Sequence, residues 1–186
     1  MIPLFVGLSL VNLLCLGVTM ALGYWAPPAS RGLHILAGAL ATLVCCGVHC
    51  VVFTYFIATA KWLQHAIAVK GLNPALATPT RSFRKQAFPA ALLAMTSVFG
   101  AAVIGAAADN YAIRPGWHHW TAIVALAINA GVAMVEYCAI ARNGRLIDKV
   151  LADVNNAASR SFDGRARSDK HTFVAAPVAQ RQRQRT

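Results

Sequence analysis

Apolar residues run along the chain in four long blocks separated by short polar breaks. They are IPLFVGLSLVNLLCLGVTMALGYW (2–25), a stretch from Leu33 to Ala60, FPAALLAMTSVFGAAVIGAAA (88–108) and WHHWTAIVALAINAGVAMVEYCAI (117–140). A hydrocarbon core of about 30 Å needs roughly 20 helical residues, so each block predicts a spanning helix. The second block would reach ~42 Å as a helix and is expected to tilt or protrude. KWLQHAIAV extends it along the inner surface, and GLNPALATPTRSFRKQ breaks it. The breaks APPASRG and DNYAIRPG carry the Pro, Gly and Asn of turns. Pro89 falls near the start of span three, where proline is tolerated. The first block lacks the basic leader of a signal peptide, and Leu before Cys15 suits lipoprotein cleavage poorly. It is expected to remain as a helix.

Polar residues within the blocks fall on stripes. At ~100° per residue, His34, Gly38, Thr42, Cys45, Phe53 and Ala60 lie within about 60° of His49. His118, Asn129 and Glu136 share a face of span four. Span one offers Ser9, Asn12, Thr19 and Gly23, and span three Thr96, Ser97 and Gly100. Polar stripes on spanning helices turn toward protein because exposing them to lipid is costly. The expected fold is therefore all-α, a four-transmembrane-helix bundle. Ala101 with Gly105, and Ala102 with Ala106, have the four-residue spacing of small residues that permits close helix contact in lipid.

Composition sharpens this picture. Hydrophobic residues make up 58% and charged residues 12%, about half the usual charged fraction of a soluble protein. Between Ile2 and Ala60 the only charged side chain is Arg31. Of the seventeen Lys and Arg, fifteen lie in 61–85 or from Arg142 onward. That asymmetry places the 61–87 loop and both termini on the cytoplasmic side of a bacterial inner or plasma membrane. The organisation read from this is a transmembrane domain over 1–141 and a basic, largely disordered tail over 142–186. Leu146, Ile147, Val150, Leu151 and Val154 form an apolar stripe that is expected to lie on the membrane. The net charge of +11 then points to anionic lipid headgroups at the 61–87 loop and the tail rather than to nucleic acid, even with RQRQR in the tail. Other membrane subunits, or a second copy of the chain, are the expected protein partners.

The candidate chemistry lies inside the bundle. Spans two and four run in the same direction, so His34 and His118 start at equal depth near the outer interface. His49 lies ~22 Å below His34, and Glu136 ~27 Å below His118. Haem b needs axial ligands on two helices and small residues against the ring. His34 with His118 or His119 meets the depth requirement, with Gly38 one turn below. The helix layout and the His34–His49 spacing resemble the general plan of membrane b-type cytochromes, whose paired histidines on two parallel helices hold stacked haems. A second haem at His49 lacks a partner, since Met134 points roughly 160° away from Glu136. Cys45 and His49, four apart on one face, are candidate copper or zinc ligands. Glu136 is expected to pair with His49 or Tyr55, because a lone carboxylate in a span costs about 2.5–3.5 kcal/mol.

Several classes are excluded by what is missing. The sequence has no CxxCH, no paired CxxC, no Gly-rich phosphate loop and no HExxH. A catalytic set is absent, and the chain is not expected to be an enzyme on its own. The expected function is that of a small integral membrane subunit with a redox role through haem b. The alternatives are a purely structural subunit without cofactor, with WHHW as an interfacial belt, and a small transporter or proton-path component.

Overall fold

The computed structural model describes the backbone of residues 1–25, 31–110 and 112–183, and the side chains up to residue 156 and of Ser159. The turn expected at APPAS lies outside the described residues. Four helices form: α1 (Ile2–Trp25), α2 (Arg31–Lys70), α3 (Thr78–Asp109) and α4 (Pro115–Arg183), with a short 3-10 turn at Pro74–Ala77. All four are long and apolar enough to cross a membrane. The outer faces keep an apolar surface, with Leu36, Leu43 and Phe99 exposed.

The helices pack as a bundle. α1 and α3 each lie against both α2 and α4, and α2 meets α4 across the middle. The inward positions step by four and three residues. On α3 they are Ala87, Ala91, Ala94, Val98 and Ala101, and on α2 Ala41, Cys45, Val48, Val52 and Tyr55. On α4 the buried series runs through Ala125, Asn129, Val132, Glu136, Ala139 and Asn143. This is the 3.5-residue period of left-handed helix packing, with alanine on α3 allowing close approach.

The break after span two is much shorter than 61–87. α2 runs on to Lys70, as the KWLQHAIAV segment predicts, and then stops at Gly71 (φ +62°). The Leu72 N–H donates to the Ile67 carbonyl at 3.0 Å, the closing bond of a left-handed glycine cap. The Asn73 side chain accepts from the Ala75 N–H at 2.9 Å, so it caps the 3-10 turn. α3 begins at Thr78, ten residues before the expected start, and Pro89 lies inside it. The basic residues Arg81, Arg84 and Lys85 are therefore on helix, because Pro79 in the first turn suits a helix start.

The C-terminal side departs further from expectation. α4 does not end near 140 but is helical through Arg183. Its Ala, Arg, Gln and Lys content favours helix locally. Part of the stripe expected on the membrane is covered by protein: Val150 is fully buried against Leu63 and Ile67, with Leu146, Val154, Leu72 and Leu76 packed around them, while Leu151 stays exposed. α2 and α4 thus extend together beyond the apolar part of the bundle.

Candidate functional site

The polar side chains of the interior form four layers along the bundle axis. In the first layer, near the Arg31 end of α2, His34 Nδ1 lies 3.0 Å from the Thr19 carbonyl of α1. His118 Nδ1 lies 3.2 Å from the Ala101 carbonyl of α3. Each ring thus spends Nδ1 on a backbone oxygen, which fixes its tautomer with the proton on Nδ1 and leaves Nε2 with its lone pair free. The two ring centroids are 5.9 Å apart at an interplanar angle of 69°.

Small residues of the other two helices make room for these rings. A Cβ on Gly23 of α1 would stand 3.0 Å from His34 Cε1, and one on Gly105 of α3 would stand 2.7 Å from His118 Cε1. A cavity of about 790 Å³ opens here, lined by His34, His118, His119, Gly38 and Thr42, with Arg31 and Asp109 also on its wall. His119 is an exposed residue whose ring stacks on Tyr24 at 4.9 Å. Gly38 faces Thr19 rather than a histidine, 3.6 Å from its methyl group as measured from an added Cβ.

Asn129 organises the second layer. Its Oδ1 accepts from the Asn12 amide at 3.2 Å and from the Cys45 thiol at 3.3 Å. Its Nδ2 donates to the Ala125 carbonyl at 2.9 Å and reaches Ala94 O at 3.4 Å and Ser97 Oγ at 3.5 Å. One side chain therefore touches all four helices. Thr96, expected on the inward face of α3, is exposed and bonds its own helix at the Leu92 carbonyl.

The third layer joins α2 to α4 directly. His49 Nδ1 lies 2.8 Å from Glu136 Oε1, with both side chains almost fully buried. Met134 is exposed, as its angle to Glu136 predicts. Cys45 and His49 share a face but serve separate partners, Asn129 and Glu136. Among the described residues no three His, Cys, Asp or Glu side chains converge as a metal set.

In the fourth layer Asn143 Nδ2 donates to Tyr55 OH and to Thr59 Oγ1, both at 3.1 Å. Tyr55 thus meets Asn143 rather than Glu136. Sequence reasoning missed Asn143 because it assigned everything after 141 to the tail. The signal was present, since Asn129, Glu136 and Asn143 are spaced by seven.

Comparison of the chain with protein-family models, curated proteins and solved structures finds no match.

Proposed function

We propose that this chain is a small integral membrane redox subunit that holds one haem b between α2 and α4, with His34 and His118 as the residues that would hold it through Nε2. The observation that carries the reading is the His34–His118 pair itself. Two imidazoles on one metal, each bond about 2 Å, put their centroids roughly 6 Å apart once the ring radii are added. The observed separation is 5.9 Å. Both Nδ1 atoms are held by backbone carbonyls, the outer-shell contact that orients a ligating histidine and raises its basicity. The 790 Å³ cavity lies within the range of cofactor pockets, and its wall is mostly apolar and small. Bound there, haem supplies one-electron redox chemistry, and the protein sets its potential through the ligands and their surroundings.

The chain's own residues have definite parts in this reading. Thr19 and Ala101 orient the ligands through their carbonyls, and Gly23 and Gly105 keep space beside the rings. Arg31 provides a cation at the cavity wall for an anionic substituent. His119, held on Tyr24, is a wall residue and not a ligand. The basic stretches around Arg81 to Lys85 and after Arg142 face the cytoplasm and meet anionic headgroups, placing the cofactor near the opposite surface of the membrane. A single cofactor near one surface suits a subunit that exchanges electrons with a partner in a larger assembly.

The test is an absorption spectrum of the protein purified from haem-replete membranes. A Soret band and a reduced α-band at one haem per chain are expected, lost in His34→Ala and His118→Ala and kept in His119→Ala. A well-folded, colourless protein would leave the structural-subunit reading in its place.

A further inference from the structure

The buried His49–Glu136 pair is not used by the haem site, and it has an open position. Glu136 Oε1 is taken by His49 Nδ1, while Glu136 Oε2 and His49 Nε2 have no hydrogen-bond partner. Glu136 is completely buried and His49 nearly so. A carboxylate kept this deep in a spanning helix is costly and is normally kept for a task. The pair also lies on the axis that begins at the cavity. Thr42 and Leu126 line that cavity. His49 is seven residues beyond Thr42 and Glu136 ten beyond Leu126, so the pair lies ~10–15 Å below. Only the Asn12–Asn129–Cys45 layer comes between.

Resting on the haem reading above, we propose that the His49–Glu136 pair takes up a proton when the cofactor at His34 and His118 is reduced. A cofactor held by His34 and His118 would take one electron from a one-electron donor and so lose one positive charge. One proton from the aqueous phase adds to Glu136 Oε2, forming an O–H bond, while Oε1 stays bonded to His49 Nδ1. Charge inside the bundle is then unchanged. Apolar surroundings make that compensation effective, because charges there are weakly screened.

The surroundings single out this pair. At its depth α1 presents Phe5 and Asn12, and α3 presents Ala91 and Ala94, none of them titratable. α2 adds Cys45, whose thiol donates to Asn129, and Tyr55, whose hydroxyl accepts from Asn143. α4 adds Asn129 and Asn143 on the inward face, whereas its titratable Tyr137 and Cys138 are exposed on the outer face. Around the cavity itself the charged or titratable groups besides His34 and His118 are Arg31, Asp109, His119 and Tyr24, and they form the competing source of any pH dependence.

The experiment is a spectroelectrochemical titration of the purified holoprotein across a pH series, with an infrared redox difference spectrum. The midpoint potential of the wild type is expected to fall with pH, with a limiting slope of about 59 mV per unit for one proton per electron. A carboxyl C=O band should appear on reduction. Glu136→Gln, which preserves size and a hydrogen bond to His49, should flatten the slope and remove the band. Asp109→Asn and His119→Ala should leave both in place. A pH-independent wild-type potential, or a slope that survives Glu136→Gln, overturns the coupling. If Glu136→Gln does not fold, a slope and carboxyl band that persist in both Asp109→Asn and His119→Ala carry the assignment to the pair, and their loss in Asp109→Asn overturns it. Absence of a Soret band removes the haem reading and this inference together, whereas a haem with a flat potential removes only this inference.

Discussion

Gly105 of α3 and the His118 imidazole of α4 touch so closely that a Cβ on the glycine would stand 2.7 Å from the ring Cε1. Real side chains do not tolerate that distance, so one of the two must move. The ring has little freedom, because its Nδ1 is bonded to the Ala101 carbonyl one turn away on the same helix as Gly105. The glycine is thus part of the histidine's placement, and Gly23 stands in the same relation to His34 at 3.0 Å.

Gly105→Ala should therefore disturb His118 before it disturbs the bundle. Alanine raises helix propensity by about 1 kcal/mol over glycine, and overpacking costs about 1–3 kcal/mol. The net change in stability is expected to be small, and on the proposed haem reading the larger effect falls on bound haem per chain. Gly23→Ala should act in the same direction more weakly. Gly100→Ala is the control, since nothing lies within 4 Å of its added Cβ. Haem absorbance per mole of protein, read beside the thermal midpoint, separates these effects. Full haem content in Gly105→Ala would show that the ring position does not matter.

Asn129→Ala should be the most damaging of the buried asparagine substitutions. It leaves the Asn12 amide and the Cys45 thiol without their shared acceptor. Hydrogen bonds between membrane helices average about 0.6 kcal/mol with maxima near 1.7 kcal/mol, so losing these two together with the longer contacts to Ala94 and Ser97 implies a drop of about 1–2 kcal/mol. Asn12→Ala removes one bond and should cost about half as much. Reversible unfolding in mixed micelles measures both. Equal losses would mean that Asn129 does not act as a junction.

Much of this interior was legible in the sequence, and the reasons differ by residue. His34, His118, His49 and Glu136 stand out because polar groups are rare in spans, and helical angles place each on an inward stripe. Equal depth follows from counting along two parallel helices. Thr96 misled because a threonine hydroxyl can bond its own helix four residues back and so remain exposed. The C-terminal half of α4 misled because Arg142, Arg145 and Lys149 lower the hydropathy. The stripe Leu146, Val150 and Val154 was visible, but a lone amphipathic stripe does not say whether lipid or protein covers it. The Gly23 and Gly105 contacts were not legible at all, because they depend on which helices become neighbours.

The extension beyond the apolar bundle should matter up to about residue 154 and not past it. A chain ending at 156 keeps Asn143, Val150 and Val154, and its thermal midpoint should match that of the full chain. A chain ending at 141 loses the Asn143 bonds to Tyr55 and Thr59 and uncovers Leu63 and Ile67. Leu63→Ala in the full chain isolates the packing part, with an expected loss of about 2–5 kcal/mol for a fully buried leucine. If the 141 truncation were as stable as the 156 truncation, the covered stripe would contribute nothing to the fold.

Topology gives the last prediction, and on the proposed haem reading it governs where the cofactor would lie. α3 runs from Thr78 to Asp109, ~48 Å as a helix, so its two ends reach opposite sides of a membrane that it crosses. Ser82 and Asn110 are exposed near those ends. The charge asymmetry predicts Ser82, beside Arg81, Arg84 and Lys85, on the cytoplasmic side and Asn110 outside. With the five native cysteines replaced, a membrane-impermeant maleimide added to intact cells should label a cysteine at 110 and spare one at 82. Permeabilised cells should label both. Outside labelling at 82 would invert the protein and move His34 and His118 to the cytoplasmic surface. The electron-exchange partner proposed for them would then have to be sought on that side.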